Sequence, residues 1–225
     1  MLAHVAAAAE IPLHERRSGY EFMSRETRAM QDDEVTGPAV LALLDGEALW
    51  EKLGCAGCHQ TMKGVATRYP KAVGGKLVSL EQQVRHQAPQ LALESRELLA
   101  LTAYVAKQSR GMAIDVKPEK AHLERGRAFF YRRQGQLNLA CSQCHDDNWG
   151  KQLAGNAIPQ AHPTAYPIYR LEWQGLGSLG RRFRNCLTGM RAELYPPGAP
   201  ELVELELYLM WRARGMKLES PGVRP

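Results

Sequence analysis

The sequence predicts a mainly α-helical chain built from two similar halves, and three observations carry that expectation. A Cys-x-x-Cys-His unit stands at Cys55-Ala56-Gly57-Cys58-His59 and again at Cys141-Ser142-Gln143-Cys144-His145, an offset of 86 residues. Two apolar-periodic segments, residues 97–105 and 201–209, each run on to an Arg-Gly-Met triplet, Arg110-Gly111-Met112 and Arg214-Gly215-Met216. Tyr104 and Tyr208 recur at the same offset of 104 as the triplets. In both segments apolar residues fall three and four apart, the spacing that gives a helix one buried face.

Taken in order, residues 1–10 are short and alanine-rich, with no basic start and no long apolar stretch. Val5-Ala6-Ala7 and Ala7-Ala8-Ala9 have the small-residue pattern of a cleavage site, so the segment reads either as the end of a signal peptide or as a plain terminus. Residues 1–40 form an N-terminal extension, with one helical reading from Tyr20 to Asp33. Helical stretches at residues 42–50 and 122–131 lead into the two cysteine motifs. Gly111 and Gly215 suit the C′ position of the closing helices, and Pro200 suits the first turn of the second. Pro118 interrupts the pattern in a linker near residues 113–120. The two offsets differ by 18, so the second half carries 18 more residues between its motif and its closing helix. Extra chain on a minimal unit is where function is expected.

The net charge of +5 comes from Lys and Arg scattered over 225 residues, without a lysine block or an aromatic-interleaved basic ladder. Nucleic acid is therefore a poor partner, and a small oxyanion or an acidic protein surface a better one. No run of about 18 apolar residues is present, so no membrane span is expected.

Four of the five cysteines lie in the two motifs, and Cys186 is left over. Cys-x-x-Cys alone is shared by zinc sites, redox dithiols and iron–sulfur clusters. A histidine directly after the second cysteine, twice, selects c-type haem attachment. Both thiols add to the haem vinyl groups and the adjacent imidazole is held against the iron. Two covalently bound haem c groups are thus expected, on Cys55, Cys58, Cys141 and Cys144, with His59 and His145 as proximal ligands. Helix, motif, variable middle and closing helix together resemble a class I cytochrome c domain. The expected fold is two such haem domains, residues 41–113 and 114–225, related by an internal repeat and preceded by the extension. Haem attachment of this kind occurs outside the cytoplasm, which points to a periplasmic location.

Candidates for the sixth ligand of the second haem are His162, Cys186, Met190 and Met216. Arg181, Arg182, Arg184 and Arg191 all lie within five residues of Cys186. On a helix Arg182 stands one turn before it, on the same face. Guanidinium groups favour the thiolate and bind oxyanions through paired donors. The bland alternative is an inert cysteine on a basic helix. For the first haem the candidates are His86, Met62 and Met112, and His86 precedes the closing helix where a distal ligand is expected.

These residues resemble the SoxA family of the SoxAX cytochromes, which begin thiosulfate oxidation in sulfur-oxidising bacteria. The likeness runs from Glu10-Ile11-Pro12-Leu13 through Arg17-Ser18-Gly19-Tyr20-Glu21-Phe22-Met23 and Gly46-Glu47-Ala48-Leu49-Trp50. It continues through Met62-Lys63-Gly64-Val65-Ala66, residues 98–112, both haem motifs and the Arg182/Cys186 stretch, to Ser220-Pro221-Gly222-Val223-Arg224-Pro225. The resemblance implies an enzyme that joins thiosulfate oxidatively to a cysteine of a SoxYZ-like carrier, releases two electrons to haem, and pairs with a SoxX-like cytochrome. It implies Cys186 as catalytic thiolate or persulfide and distal haem ligand, and Arg182 as the substrate-binding residue. The family's second distal cysteine is missing from the stretch around residues 84–87, so His86 is the expected replacement. Two rival readings stay open: a dihaem electron carrier, and a thiosulfate dehydrogenase forming tetrathionate.

Overall fold

The computed structural model describes residues 11–225, so the cleavage patterns between Val5 and Ala9 lie outside the described residues. The extension is only partly helical. Ser18 and Ser24 each accept a backbone N–H two or three residues on, from Tyr20 and Thr27, both at 3.2 Å. These caps divide the expected helix into a 3₁₀ turn, Gly19–Phe22, and a short helix α1, Arg25–Asp32. Serine competing for backbone groups is what stops the longer helix.

The first half follows as α2 (Val40–Lys52), α3 (Cys55–Cys58), an antiparallel hairpin of β1 (Lys71–Val73) and β2 (Lys76–Val78), α4 (Leu80–Gln87) and α5 (Arg96–Lys107). The second half is α6 (Lys120–Tyr131), α7 (Cys141–His145), a hairpin of β3 (Gln152–Leu153) and β4 (Asn156–Ala157), then β5 (Ile168–Arg170), β6 (Gly175–Gly177), α8 (Leu179–Gly189), α9 (Pro200–Arg212) and β7 (Gly222–Arg224). Residues 113–119 link the halves, as the interruption at Pro118 predicts. The serine caps recur: Ser79 closes a capping box with Gln82 on α4, and Ser178 accepts Arg181 N–H at 2.9 Å on α8. Each cap supplies a partner to a backbone donor that the helix itself cannot satisfy.

In each half the leading helix crosses the closing helix at a glycine. A Cβ on Gly46 would sit 2.2 Å from the Ala100 carbonyl oxygen, and one on Gly126 would sit 2.0 Å from that of Glu204. Neither distance leaves room for a side chain, so α2 lies directly on α5 and α6 directly on α9. One turn further along, Trp50 meets Tyr104 at 6.0 Å and Phe130 meets Tyr208 at 5.5 Å between ring centroids. The aromatic pairs fill the wedge that opens beyond each glycine. Helix α9 belongs to both cores: Leu207 and Met210 pack with Leu98 and Val105, whereas Leu205 and Tyr208 pack with Phe130 and Phe183. Each fully buried leucine contributes roughly 2 kcal/mol.

The two Arg-Gly-Met segments bind each other. Gly111 N–H donates to Leu218 O at 2.8 Å and Gly215 N–H to Ile114 O at 2.9 Å. Leu218 N–H donates to Met112 O and Ile114 N–H to Met216 O, both at 2.9 Å. An offset of 104 turns each bond of either pair into its mate. Gly111 and Gly215 have φ of +80° and +83°, a conformation suited to glycine. They come three and two residues after the C-caps Gln108 and Ala213, not at C′ as expected, because turns prolong both helices.

The strands are an addition to the helical plan. Strand β5 pairs antiparallel with β6 and parallel with the C-terminal β7, in register Arg170 with Arg224. At three residues each they are too short to show an alternating pattern. The extension locks onto this sheet, for Gln31 Oε1 accepts Val223 N–H at 3.0 Å and also the Arg224 guanidinium.

Candidate functional site

Cys141 and Cys144 open one short helix, α7, three residues apart and hence on one side of it. His145 ends that helix, and its Nδ1 lies 2.7 Å from Pro159 O. A carbonyl only accepts, so Nδ1 carries the proton and the Nε2 lone pair is left for a metal, the arrangement seen in ligating histidines. Burial lowers the imidazole's affinity for a second proton, which keeps it neutral. Asp146 is fixed behind it by Arg212 Nη2 at 2.5 Å and the Tyr131 hydroxyl at 3.1 Å. None of the five cysteines forms a disulfide. Two thiols and a neutral, oriented imidazole fit the covalent attachment and proximal ligation of haem c.

The first motif has the same donor set in a looser setting. Gly54, at φ +69°, turns the chain into α3, which carries Cys55 and Cys58. His59 follows in extended conformation, exposed, with its ring 6.0 Å from Trp50. Among the described residues no hydrogen bond holds that ring.

Helix α8 brings Cys186 to the second motif. The Cys141 thiol is pushed up to about 12 by burial and then by the Cys186 sulfur, and Cys144 is raised by the same two causes. Cys186 is half-buried and therefore reachable. Arg182 stands one turn before it; desolvation there is outweighed by attraction to Cys186, Tyr166 and Glu172, so the guanidinium is held charged. Two other arginines of the stretch are engaged elsewhere: Arg184 pairs with Glu94, and Arg181 lies 4.2 Å above the Trp173 ring.

The remaining candidates separate. His162 is buried with Nδ1 donating to Arg17 O at 2.9 Å, and burial takes its pKa down to about 4. Met190 packs in the second core, whereas Met216 packs against the first. Met62 also joins the first core, and Met112 lies beside Gly64. His86 is exposed on the last turn of α4. Counted from the serine caps Ser79 and Ser178, Cys186 corresponds to Gln87, and His86 to Asn185.

Between the halves lies a cleft of about 80 Å³ bordered by Glu81, Glu94, Tyr166, Ser178 and Glu206. Glu81 Oε1 accepts Glu94 N–H at 2.6 Å, and the Ser178 hydroxyl donates to Glu94 Oε1 at 2.5 Å. Burial raises Glu81 to about 7, and burial together with Glu81 raises Glu206 to about 8. Sequence reasoning missed this acidic seam, as it missed Tyr166 and Arg170. None of these carries a local motif, since the fold alone assembles them.

The cysteine-bearing helices and crossed helix pairs define a c-type cytochrome, and residues 45–114 match the family model for the SoxA/TsdA cytochrome c domain. The chain therefore carries covalently bound haem c. It is 32% identical to the L-cysteine S-thiosulfotransferase subunit SoxA of Pseudaminobacter salicylatoxidans, over 100% of this chain and 86% of that one. Its counterpart from Rhodovulum sulfidophilum is 32% identical over 93% and 80%. The crystal structure of SoxXA from P. pantotrophus superposes with a TM-score of 0.89 at 29% identity, over 93% of this chain and 87% of that one. The chain belongs to the SoxA family.

Proposed function

We propose that this protein is the catalytic cytochrome of a thiosulfate-oxidising L-cysteine S-thiosulfotransferase. The observation that carries the reading is the placement of Cys186 beside the sulfurs of the second motif, with charged Arg182 one turn away. Arg182 holds the oxyanion end of thiosulfate by charge-assisted hydrogen bonds. The Cys186 thiolate forms a bond to the outer sulfur of thiosulfate, giving Cys186–S–S–SO₃⁻ and releasing two electrons. Haem c, when bound, supplies the electron-accepting iron. A carrier thiolate then attacks the middle sulfur and Cys186 departs as thiolate, an exchange of the ordinary thiol–disulfide kind. Atoms balance: the carrier gains S–SO₃⁻ and Cys186 is restored.

The reading includes two haems, on Cys55/Cys58/His59 and on Cys141/Cys144/His145, in domains 41–113 and 114–225 related by an internal repeat, with residues 1–40 as the extension. The paired glycine crossings and the matched bonds between the Arg-Gly-Met segments support the repeat. Cys186 would be the distal ligand of the second haem, and His86, the imidazole on α4, that of the first. The relative solved as SoxXA supports a SoxX-like partner cytochrome, with a SoxYZ-like protein as carrier. A periplasmic location follows from haem attachment outside the cytoplasm.

The test supplies thiosulfate, an electron acceptor and the carrier. Cys186→Ala abolishes carrier modification; full modification by the variant would end the proposal. Tetrathionate formed by the unaltered protein without carrier would favour a thiosulfate dehydrogenase. His86→Ala turns the first haem high-spin in absorption and EPR, and an unchanged low-spin signal removes His86 as ligand.

A further inference from the structure

Glu94 lies in the loop between α4 and α5, in the first half of the chain, with a φ of +62°. That left-handed conformation disfavours a residue with a Cβ. At the offset of 104 that relates the two Arg-Gly-Met segments, its counterpart is Gly198, with a φ of +76°. Glycine takes such a turn freely, so a glutamate held there needs a compensating contact.

The contact is with α8, the helix that carries Cys186. The Ser178 hydroxyl at its N-cap donates to Glu94 Oε1 at 2.5 Å, and the Arg184 guanidinium pairs with Glu94 Oε2. Both side chains of that ion pair are less than one-fifth exposed, which limits screening by salt. The backbone of Glu94 is fixed in turn. Its N–H donates to Glu81 Oε1 at 2.6 Å, and Ser95 beside it caps α5 by accepting Leu98 N–H at 3.2 Å. Since α5 lies directly on α2, the anchor is the core of the first half.

The first half holds its own helix differently. On α4 the Ser79 cap is answered by Gln82 of the same helix, whose amide also donates to Gly198 O at 3.0 Å. On α8 the corresponding residue is Arg181, which turns to the Trp173 ring, and the first turn contains no acidic residue. Glu94 brings a carboxylate from outside to the helix end that favours negative charge. Arg184 lies about 200° around the helix from both Arg182 and Cys186. The clamp therefore grips the back of α8 and leaves the face bearing Arg182 and Cys186 free of it.

We propose that Glu94 is a positioning residue, through which the first half holds α8 and so sets where Cys186 and Arg182 stand. This rests on the reading of Cys186 given above.

The test uses the complete complex with thiosulfate, an electron acceptor and the carrier. Arg182 and Cys186 ride on one helix, so their spacing survives a loosened α8 while the placement of both shifts. Glu94→Gly suits the backbone but removes the clamp; it lowers kcat about 10-fold and leaves KM for thiosulfate within about 3-fold. Glu94→Gln keeps one acceptor oxygen and loses less. Arg184→Gln also lowers kcat, and adding it to Glu94→Gly costs nothing further, as expected of partners in one interaction. Gln31→Ala, which costs stability without touching α8, leaves kcat unchanged. Apart from activity, Cys186 in Glu94→Gly is alkylated by iodoacetamide about 5-fold faster than in the unaltered protein. An unchanged kcat or alkylation rate in Glu94→Gly overturns the inference, as does an equal fall in Gln31→Ala or additive losses in the double variant. Should Cys186→Ala still modify the carrier, the underlying reading fails; an inactive Cys186→Ala with a normal Glu94→Gly sinks this inference alone.

Discussion

The two haem motifs share a five-residue pattern but not a setting. His145 is half-buried, held by the Pro159 carbonyl and backed by the Asp146–Arg212 pair. His59 is exposed and its ring rests near Trp50 without a hydrogen bond. Opposite the second motif, α8 presents a thiol and an arginine; at the same turn of α4 the first half presents Gln87. On the proposed reading, the difference teaches that the repeated pattern attaches the cofactor, while what stands across from it decides whether sulfur chemistry takes place.

The largest test of that contrast compares Cys186→Ala with Gln87→Ala. The first should reduce carrier modification at least about 100-fold, and the second should leave it within about 2-fold; equal losses would erase the distinction between the halves. Next come the helix crossings, where the halves should behave alike. Gly46→Ala and Gly126→Ala should each cost about 3 kcal/mol in denaturant unfolding, because a Cβ has no room at either carbonyl. A tolerated alanine at one of them would show a looser crossing in that half.

A smaller asymmetry lies in the extension. Gln31→Ala leaves Val223 N–H and one donor of Arg224 unmet, a loss of about 2 kcal/mol. Glu34, whose pairing with Arg110 at 3.7 Å is largely exposed, should cost less than about 0.5 kcal/mol on change to Ala.

A contrast in pH rather than in sequence belongs to the acidic seam. Glu81 and Glu206 are raised from 4.5 to about 7 and about 8, so the folded chain holds protons that the unfolded chain has released. Their contribution is complete below about pH 4.5 and is lost as pH rises from there through 7 to 8, up to several kcal/mol by linkage. Thermal melts from pH 5 to pH 9 should show Tm falling, and Glu206→Gln should flatten the slope. A steeper slope in that variant would contradict the assignment.

Much of the helical plan is legible in the sequence. Covalent haem attachment requires contiguous residues, so Cys55, Cys58, His59 and their counterparts stand out as candidates in the sequence alone. Helical periodicity located α2, α5, α6 and α9 to within a few residues, and a turn of helix related Arg182 to Cys186. What lay hidden depends on contacts between distant segments. Arg184 looks equivalent to Arg182 in a string of arginines, yet Glu94 on another element claims it. Arg170 sits 16 residues before Cys186 on a three-residue strand held between β6 and the C-terminal β7. His86 is singled out by its distance along the chain, and only the serine caps show that it stands one residue before the position equivalent to Cys186.

The bonds between Gly111, Met112 and Ile114 and their counterparts Gly215, Met216 and Leu218 obey the rule of a two-fold interface, in which each surface answers itself. In a dimer of identical subunits every substitution appears twice, so a thiol gained on one side is gained on both. Under the proposed repeat, joining two copies in one polypeptide keeps the self-complementary seam and lifts that constraint. One copy could take on 18 residues, a sheet and a reactive sulfur while the other stayed minimal. Inequality between the two motifs would then be the freedom that fusion confers.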